Sequence, residues 1–251
     1  MIKLKSTREI GLMRRAGKVA AAARALAGDM ATAGVTTKQI DRAVYDFIVA
    51  GGAVPTFLNY GGFPASVCTS VNEQVIHGIP DDTVLKDGDI ISIDVGATKD
   101  GYIGDCAATF IVGQADDEAK RLIAVTKQSF FEGISYAREG YRVSDISQAV
   151  QEYVESNGFS VVRDYVGHGV GSQLHEPPEV PNFGSAGHGA RLLRGMTLAV
   201  EPMVNAGTGA IRVLSDKWTV VTRDGRLSAH YENTILVTDG EPVILTTVGE
   251  Q

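Results

Sequence analysis

The sequence predicts an α+β protein in which one unit, two helices followed by strands, is used twice. Three observations carry that expectation. Gly88-x-x-Ile91-Ser92-Ile93-Asp94 recurs as Gly195-x-x-Leu198-Ala199-Val200-Glu201, at an offset of 107 positions. The cap signals of the second helix in each unit, Thr36 and Ser144, lie 108 positions apart. The order of elements around both is the same, and a constant offset is what a duplication leaves behind. A single domain over residues 1–251 is therefore expected, with pseudo-twofold halves of about 1–113 and 114–251 and a site between them.

The elements follow in order. Ser6-Thr7-Arg8-Glu9 reads as a capping box, in which Ser6 and Glu9 satisfy the first free amides of a helix. The alanine-rich segment after it continues that helix to about residues 26–29. Thr36 caps a second helix that carries Ile40, Val44, Phe47 and Ile48 on one face, and Gly51-Gly52 stops it. Residues 53–64 are irregular and aromatic, 66–71 form a short strand, and 72–80 form a loop holding His77. Residues 90–95 read as a buried strand with Asp94 near its end. Lys99-Asp100-Gly101 turns the chain, and 102–112 returns with Asp105 inside it. The second unit opens with a helix over 116–138, acidic in its first turn. A helix over 144–156 follows, then strands at 196–201, 217–222 and 229–238.

Composition narrows the function. With 44% hydrophobic and 21% charged residues, the chain is ordinary for a globular protein. The net charge of −7, without a lysine or arginine run, argues against direct nucleic-acid binding. It leaves open a local patch that docks on a ribosome. Cys68 and Cys106 form no CxxC, so a cysteine-based zinc site is out. A disulfide between them is not needed at this size, and a reducing cytoplasm is the better expectation. No signal-peptide core opens the chain, and the alanine run at 19–27 is too short to span a bilayer.

The acids carry the chemistry. The numbers of Asp94 and Asp105 sum to 199, as do those of the turn residues Lys99 and Asp100, so a regular hairpin would set the two acids directly opposite. Like charges at that spacing, beside Ile93 and Val95, need a shared proton or cation. Glu201 ends an apolar strand before Pro202, and Glu232 shares a face with Thr234 and Leu236. Four carboxylates carry the charge that two divalent cations neutralise, and with a neutral histidine they suit transition metals. Two such ions share and activate a water. The stretch 165–175 places His168 and His175 on a segment with three glycines, where a ligand approaches the backbone closely. With His77 it supplies neutral imidazoles to position a substrate.

His77, Asp94, Asp105, His168, His175, Glu201 and Glu232 stand in the order and spacing of the type I methionine aminopeptidases. The resemblance covers essentially the whole chain. Tyr165-x-Gly167-His168-Gly169-Val170-Gly171-x-x-x-His175, followed by Val180-Pro181-Asn182, resembles the family signature. So do Asn72-Glu73-x-Val75-x-His77-Gly78-Ile79-Pro80 and the segment from Asp94 to Thr109 and Val112. The resemblance implies a pita-bread fold and release of N-terminal methionine from nascent chains, with small second residues preferred. It implies two divalent ions (Co²⁺, Mn²⁺, Fe²⁺ or Zn²⁺) held by Asp94, Asp105, His168, Glu201 and Glu232, with Asp105 and Glu232 bridging. By the same resemblance His77 meets the scissile amide nitrogen, His175 the carbonyl oxygen, and Glu201 relays the proton of the attacking water. Tyr60, Phe63, Cys68, Leu174 and Trp218 would form the methionine pocket, although Cys68 and Leu174 taken alone read as ordinary core.

Glu201 follows His175 by only 26 positions, which leaves no room for the insert of the type II enzymes, so the short bacterial type is the match. Family members often flank the last glutamate with Gln and His, where this chain has His230 and Asn233. His230 either tunes Glu232 or takes over the glutamine's hydrogen bond, and the second is preferred because no ligand vacancy needs filling. His188 reads as a surface residue. A monomer is expected. Rival readings are a proline-specific sister peptidase, usually longer before the first aspartate, and a non-catalytic pita-bread binding module, which would have lost ligands.

Overall fold

The computed structural model describes residues 1–249. Helix α1 spans Thr7–Met30 and opens on the Ser6/Glu9 capping box, with Ser6 N–H donating to Glu9 Oε2 at 2.7 Å. Helix α2 spans Thr37–Ala50 and is capped by Thr36. After them come β1 (Val54–Pro55), β2 (Cys68–Val71), β3 (Gln74–Ile76), β4 (Ile90–Lys99) and β5 (Tyr102–Ile111). The second unit repeats the plan. Helices α3 (Asp117–Ile134) and α4 (Val143–Ser156) precede β6 (Ser160–Val161), β7 (Gly167–Gly169), β8 (Glu176–Val180), β9 (Thr197–Val200) and β10 (Met203–Asn205). The chain closes with β11 (Ile211–Val213), β12 (Val220–Thr222), β13 (Ser228–His230), β14 (Asn233–Leu236) and β15 (Val243–Ile244).

Each unit contributes a central antiparallel strand with a neighbour on either side: β4 between β2 and β5, and β9 between β7 and β14. The glycines that open the repeated motif, Gly88 and Gly195, share a left-handed backbone with φ of +94° and +92°. That conformation explains why the motif keeps its glycine in both copies. The two ladders meet along one seam. Ala107 and Glu232 exchange backbone hydrogen bonds (2.9 and 3.2 Å), and threonine hydroxyls replace the backbone on both sides. Thr109 Oγ1 accepts from His230 N–H and donates to His230 O, each at 2.9 Å. Thr234 Oγ1 accepts from Asp105 N–H at 3.1 Å and donates to Asp105 O at 2.9 Å.

Small residues let α1 lie directly on the β4–β5 hairpin. A Cβ on Gly104 would sit 2.5 Å from the Cα of Gly17. Ala20, Ala23 and Ala27 of α1 join Ile40 and Val44 of α2 against Ile91 and Ile93 of β4. On the other unit Leu122 of α3 and Val150 of α4 pack on Val204 of β10 and Ala229 of β13. Both cysteines are free and buried.

Four expectations change. Lys99 pairs with Tyr102, so the hairpin turns on Asp100-Gly101, with φ of +52° and +80°. A two-residue turn with both φ positive matches the twist of the strands and favours Asp-Gly. Its register sets Asp94 opposite Ala107 and Asp105 opposite Gly96. The two acids are therefore diagonal neighbours on one face, not direct partners. Helix α3 ends four residues before residue 138, because Tyr136 and Ala137 N–H groups turn back onto the carbonyls of Gly133 and Ile134. Helix α4 is capped at Arg142, whose N–H donates to Asp145 Oδ2 at 2.7 Å, and Ser144 lies inside it. The last long strand breaks at Tyr231-Glu232. The Tyr231 N–H donates to Pro202 O and the Glu232 N–H to Ala107 O, two different segments that a single ladder could not serve.

Candidate active site

A cleft of about 160 Å³ is lined from both units. The four acids, the three histidines 77, 168 and 175, and the five pocket residues chosen from the sequence all line it. Phe57, Ile76, Tyr165 and Val166 line it as well. All four lie within stretches already singled out, Phe57 in 53–64, Ile76 in 72–80, and Tyr165 and Val166 at the head of the glycine-rich stretch.

The acids reach the cleft by different means. Asp94 and Asp105 come from the paired strands β4 and β5. Glu201 stands one residue past β9, and Glu232 lies in the break between β13 and β14. Asp105, His168 and Glu232 each offer one donor atom within 4.8 Å of the others. His168 Nε2 is 3.5 Å from Glu201 Oε1 and 3.8 Å from Asp105 Oδ2. Burial pushes Asp94 up to about 7, although the Arg24 guanidinium opposes the rise. Burial, and then the neighbouring carboxylates, hold Asp105, Glu201 and Glu232 well above the usual carboxylate range. Asp94 Oδ1, Asp105 Oδ1 and Glu232 Oε1 are buried and accept no hydrogen bond from the described residues. Buried oxygens left open in this way, converging with an imidazole, fit divalent transition-metal ions.

The histidines are held neutral. Burial, then the nearby His175, lowers His77 to about 4, and the same causes lower His168 to about 4. Burial alone lowers His175. His168 Nδ1 lies 2.9 Å from Gly169 O, so the ring's one proton sits there and donates to the carbonyl. Its Nε2 lone pair then faces the acids, the arrangement that metal-ligating histidines use. Tyr60 Oη lies 2.7 Å from His175 Nδ1. With the tyrosine donating, His175 keeps its proton on Nε2. The rings of His168 and His175 are 4.3 Å apart.

His77 follows β3 with φ of +57°, a left-handed backbone that costs a non-glycine residue roughly 1 kcal/mol or more. Its ring stands edge-on to Trp218 and Tyr165, at 6.4 and 5.6 Å. Trp218 in turn packs edge-on to Phe63 at 5.2 Å. The glycines around His168 serve close approach. Gly167 and Gly169 sit in β7 where a Cβ would come within 2.4 Å of Ala199 O and Pro177 O respectively.

His230 differs from its expected place. Its Nε2 is buried without a hydrogen-bond partner and lies 3.8 Å from Glu201 Oε2, so it faces Glu201 rather than Glu232. Strand β13 ends at His230. Asn182, at the end of the signature, donates Nδ2–H to Glu201 O at 3.0 Å. His188 is exposed.

Residues 11–239 match the model of metallopeptidase family M24. The chain is 54% identical to a methionine aminopeptidase of Clostridium acetobutylicum, over 98% of this chain and 99% of that protein. It is 45% identical to a methionine aminopeptidase of Escherichia coli, over 98% and 94% of the two chains. The crystal structure of methionine aminopeptidase from Rickettsia prowazekii superposes with a TM-score of 0.97 at 44% identity, covering 98% of this chain and all of that one. A prolidase from Pyrococcus furiosus shares the fold alone, at 20% identity and a TM-score of 0.75.

Proposed function

The chain belongs to metallopeptidase family M24, and we propose on that footing that it removes the N-terminal methionine of peptides and nascent proteins by metal-assisted hydrolysis. Its fold is the family's pita-bread arrangement. The observation that carries the reading is one cleft that joins open, buried carboxylate oxygens to neutral imidazoles and an aromatic wall. We assign Asp94, Asp105, His168, Glu201 and Glu232 to two divalent ions. Bound there, such ions would supply Lewis-acid chemistry, acidifying water and polarising the scissile amide.

The chain's own groups then do the rest. His175 Nε2–H, kept protonated by the Tyr60 contact, donates to the substrate carbonyl oxygen as charge grows there. His77 meets the amide nitrogen. Glu201, held ionised when the metal is bound, takes the proton of the attacking water and passes it to the leaving amine. Phe63, Cys68, Leu174 and Trp218 form an apolar, sulfur-tolerant slot for the methionine thioether. We read residues 1–251 as one catalytic domain, with halves of about 1–113 and 114–251 that each send acids to the cleft.

A preference for small second residues goes with the family reading. Among the described residues no helix is long and apolar enough to cross a membrane. Unpaired cysteines support action in a reducing cytoplasm, and we assign a monomer working on chains as they leave the ribosome. The test is release of methionine from Met-Ala-Ser. A chelator abolishes it, Mn²⁺, Co²⁺ or Fe²⁺ restores it, and Glu201→Gln folds but loses about 100-fold or more in rate. Full activity in the chelated protein refutes the assignment, as does faster cleavage of Xaa-Pro peptides.

A further inference from the structure

Arg24 stands on α1 behind the cleft and is half-buried. Its Nη1 donates to three acceptors: Glu232 O at 3.0 Å, Ala107 O at 3.2 Å and Asn233 Oδ1 at 3.2 Å. The two carbonyls belong to the backbone pair that joins the ladders of the two units. Thr246 Oγ1 holds Asn233 Oδ1 from the other side at 2.9 Å. Both backbone segments at this point carry acids of the cleft, Asp105 two residues before Ala107 and Glu232 itself. The approach of α1 that brings Arg24 within reach depends on the Gly17–Gly104 contact.

The charge of Arg24 is a disadvantage in this position. It lies close enough to Asp94 and Cys106 to oppose the effect of their burial, so it also repels cations entering among the acids. A guanidinium there needs a compensating service, and the hydrogen bonds identify it. We infer that Arg24 is a positioning residue for the metal centre. It clamps the Ala107/Glu232 seam so that Asp105 and Glu232, one from each unit, present their carboxylates to the same ions. The inference rests on the metal-site reading.

The two roles of Arg24 have opposite signs, which makes the test decisive. The metal-free protein is titrated calorimetrically with Mn²⁺, as wild type, Arg24→Met, Arg24→Lys and Asn233→Ala, at a temperature where circular dichroism shows each folded. Positioning predicts that the Met and Lys variants both bind Mn²⁺ about 10- to 100-fold more weakly. It predicts a smaller loss for Asn233→Ala, which keeps the charge and removes one acceptor. Affinity in Arg24→Met equal to or above wild type overturns the inference, since removal of a nearby cation alone favours metal. So does wild-type affinity in Arg24→Lys. If Arg24→Met does not fold, unchanged affinity in Asn233→Ala overturns it. Wild-type protein that binds no Mn²⁺ sinks the metal-site reading and this inference with it.

Discussion

Asp105 and Thr234 hydrogen-bond to each other twice, the threonine hydroxyl accepting from the aspartate N–H at 3.1 Å and donating to its carbonyl at 2.9 Å. One side chain thus does the work of a backbone pair at the point where the second unit meets an acid of the first. Thr234 is fully buried, so Thr234→Val keeps the shape and leaves both Asp105 groups without a partner. An unsatisfied buried group costs about 1–3 kcal/mol. The variant should melt several degrees lower and bind metal more weakly, while Thr234→Ser stays close to wild type. A wild-type melting temperature for the valine variant would show that the seam does not need the hydroxyl.

Tyr60, with 44% of its surface exposed, holds His175 Nδ1 at 2.7 Å, and the proposed role of His175 requires the tyrosine to donate there. Tyr60→Phe keeps the ring and removes the O–H. One hydrogen bond is worth about 1 kcal/mol, so kcat should fall up to about tenfold with little change in melting temperature. A change confined to KM would place Tyr60 in substrate binding alone.

Lys5 Nζ and Glu176 Oε2 are 2.7 Å apart, and both side chains are about 5% exposed. The pair anchors the segment before α1 to the loop that carries His175, and Glu176 Oε1 also accepts from Gln173 N–H. Removing one partner of a buried pair costs about 3–5 kcal/mol, whereas an apolar pair of similar volume is often tolerated. Lys5→Met should therefore destabilise strongly and slow turnover, and Lys5→Met with Glu176→Leu should recover much of the stability. Equal destabilisation by single and double variants would contradict this.

The chelated protein should lose stability as pH rises from 6.5 to 8. At the lower edge of that window the buried histidines oppose the trend, because burial lowers their folded pKa while the unfolded imidazoles still bind protons near pH 6.5. About one unit higher they are neutral in both states and the acids alone set the slope. The acids behave differently. Their folded pKa values are raised, to about 7 for Asp94 and well above the usual carboxylate range for Asp105, Glu201 and Glu232. A raised group stabilises below its unfolded pKa, and that contribution is lost as pH climbs towards and through the folded value. Each such group costs roughly 1 kcal/mol per pH unit. Mn²⁺ should abolish the decline, since ions take the place of protons. Melting curves in chelator that rise between pH 6.5 and 8 would contradict the assignment of these acids.

The helices were legible because their signals are local. The capping boxes at Ser6 and Thr36 and the alanine face of α1 act within a few residues. The repeated Gly88 and Gly195 motifs were legible because both copies use the same backbone conformation. The hairpin register was misplaced by one residue at the turn, although Asp100-Gly101 carried the right information, and a one-residue shift displaces every cross-strand pair. The break at Tyr231-Glu232, the partners of Arg24 and the Lys5–Glu176 pair left no periodic trace. Each depends on groups distant in sequence, 171 positions for Lys5 and Glu176 and up to 209 for Arg24 and Asn233. The approach of His230 to Glu201, 3.8 Å across 29 positions, likewise leaves no local signal.

The chain contains one tryptophan, Trp218, and it stands at the cleft wall against Phe63 and His77. Indole emission from this protein therefore originates at a single, functionally central point. Any ligand that enters the cleft alters the surroundings of that one fluorophore, so occupancy can be followed optically without a label.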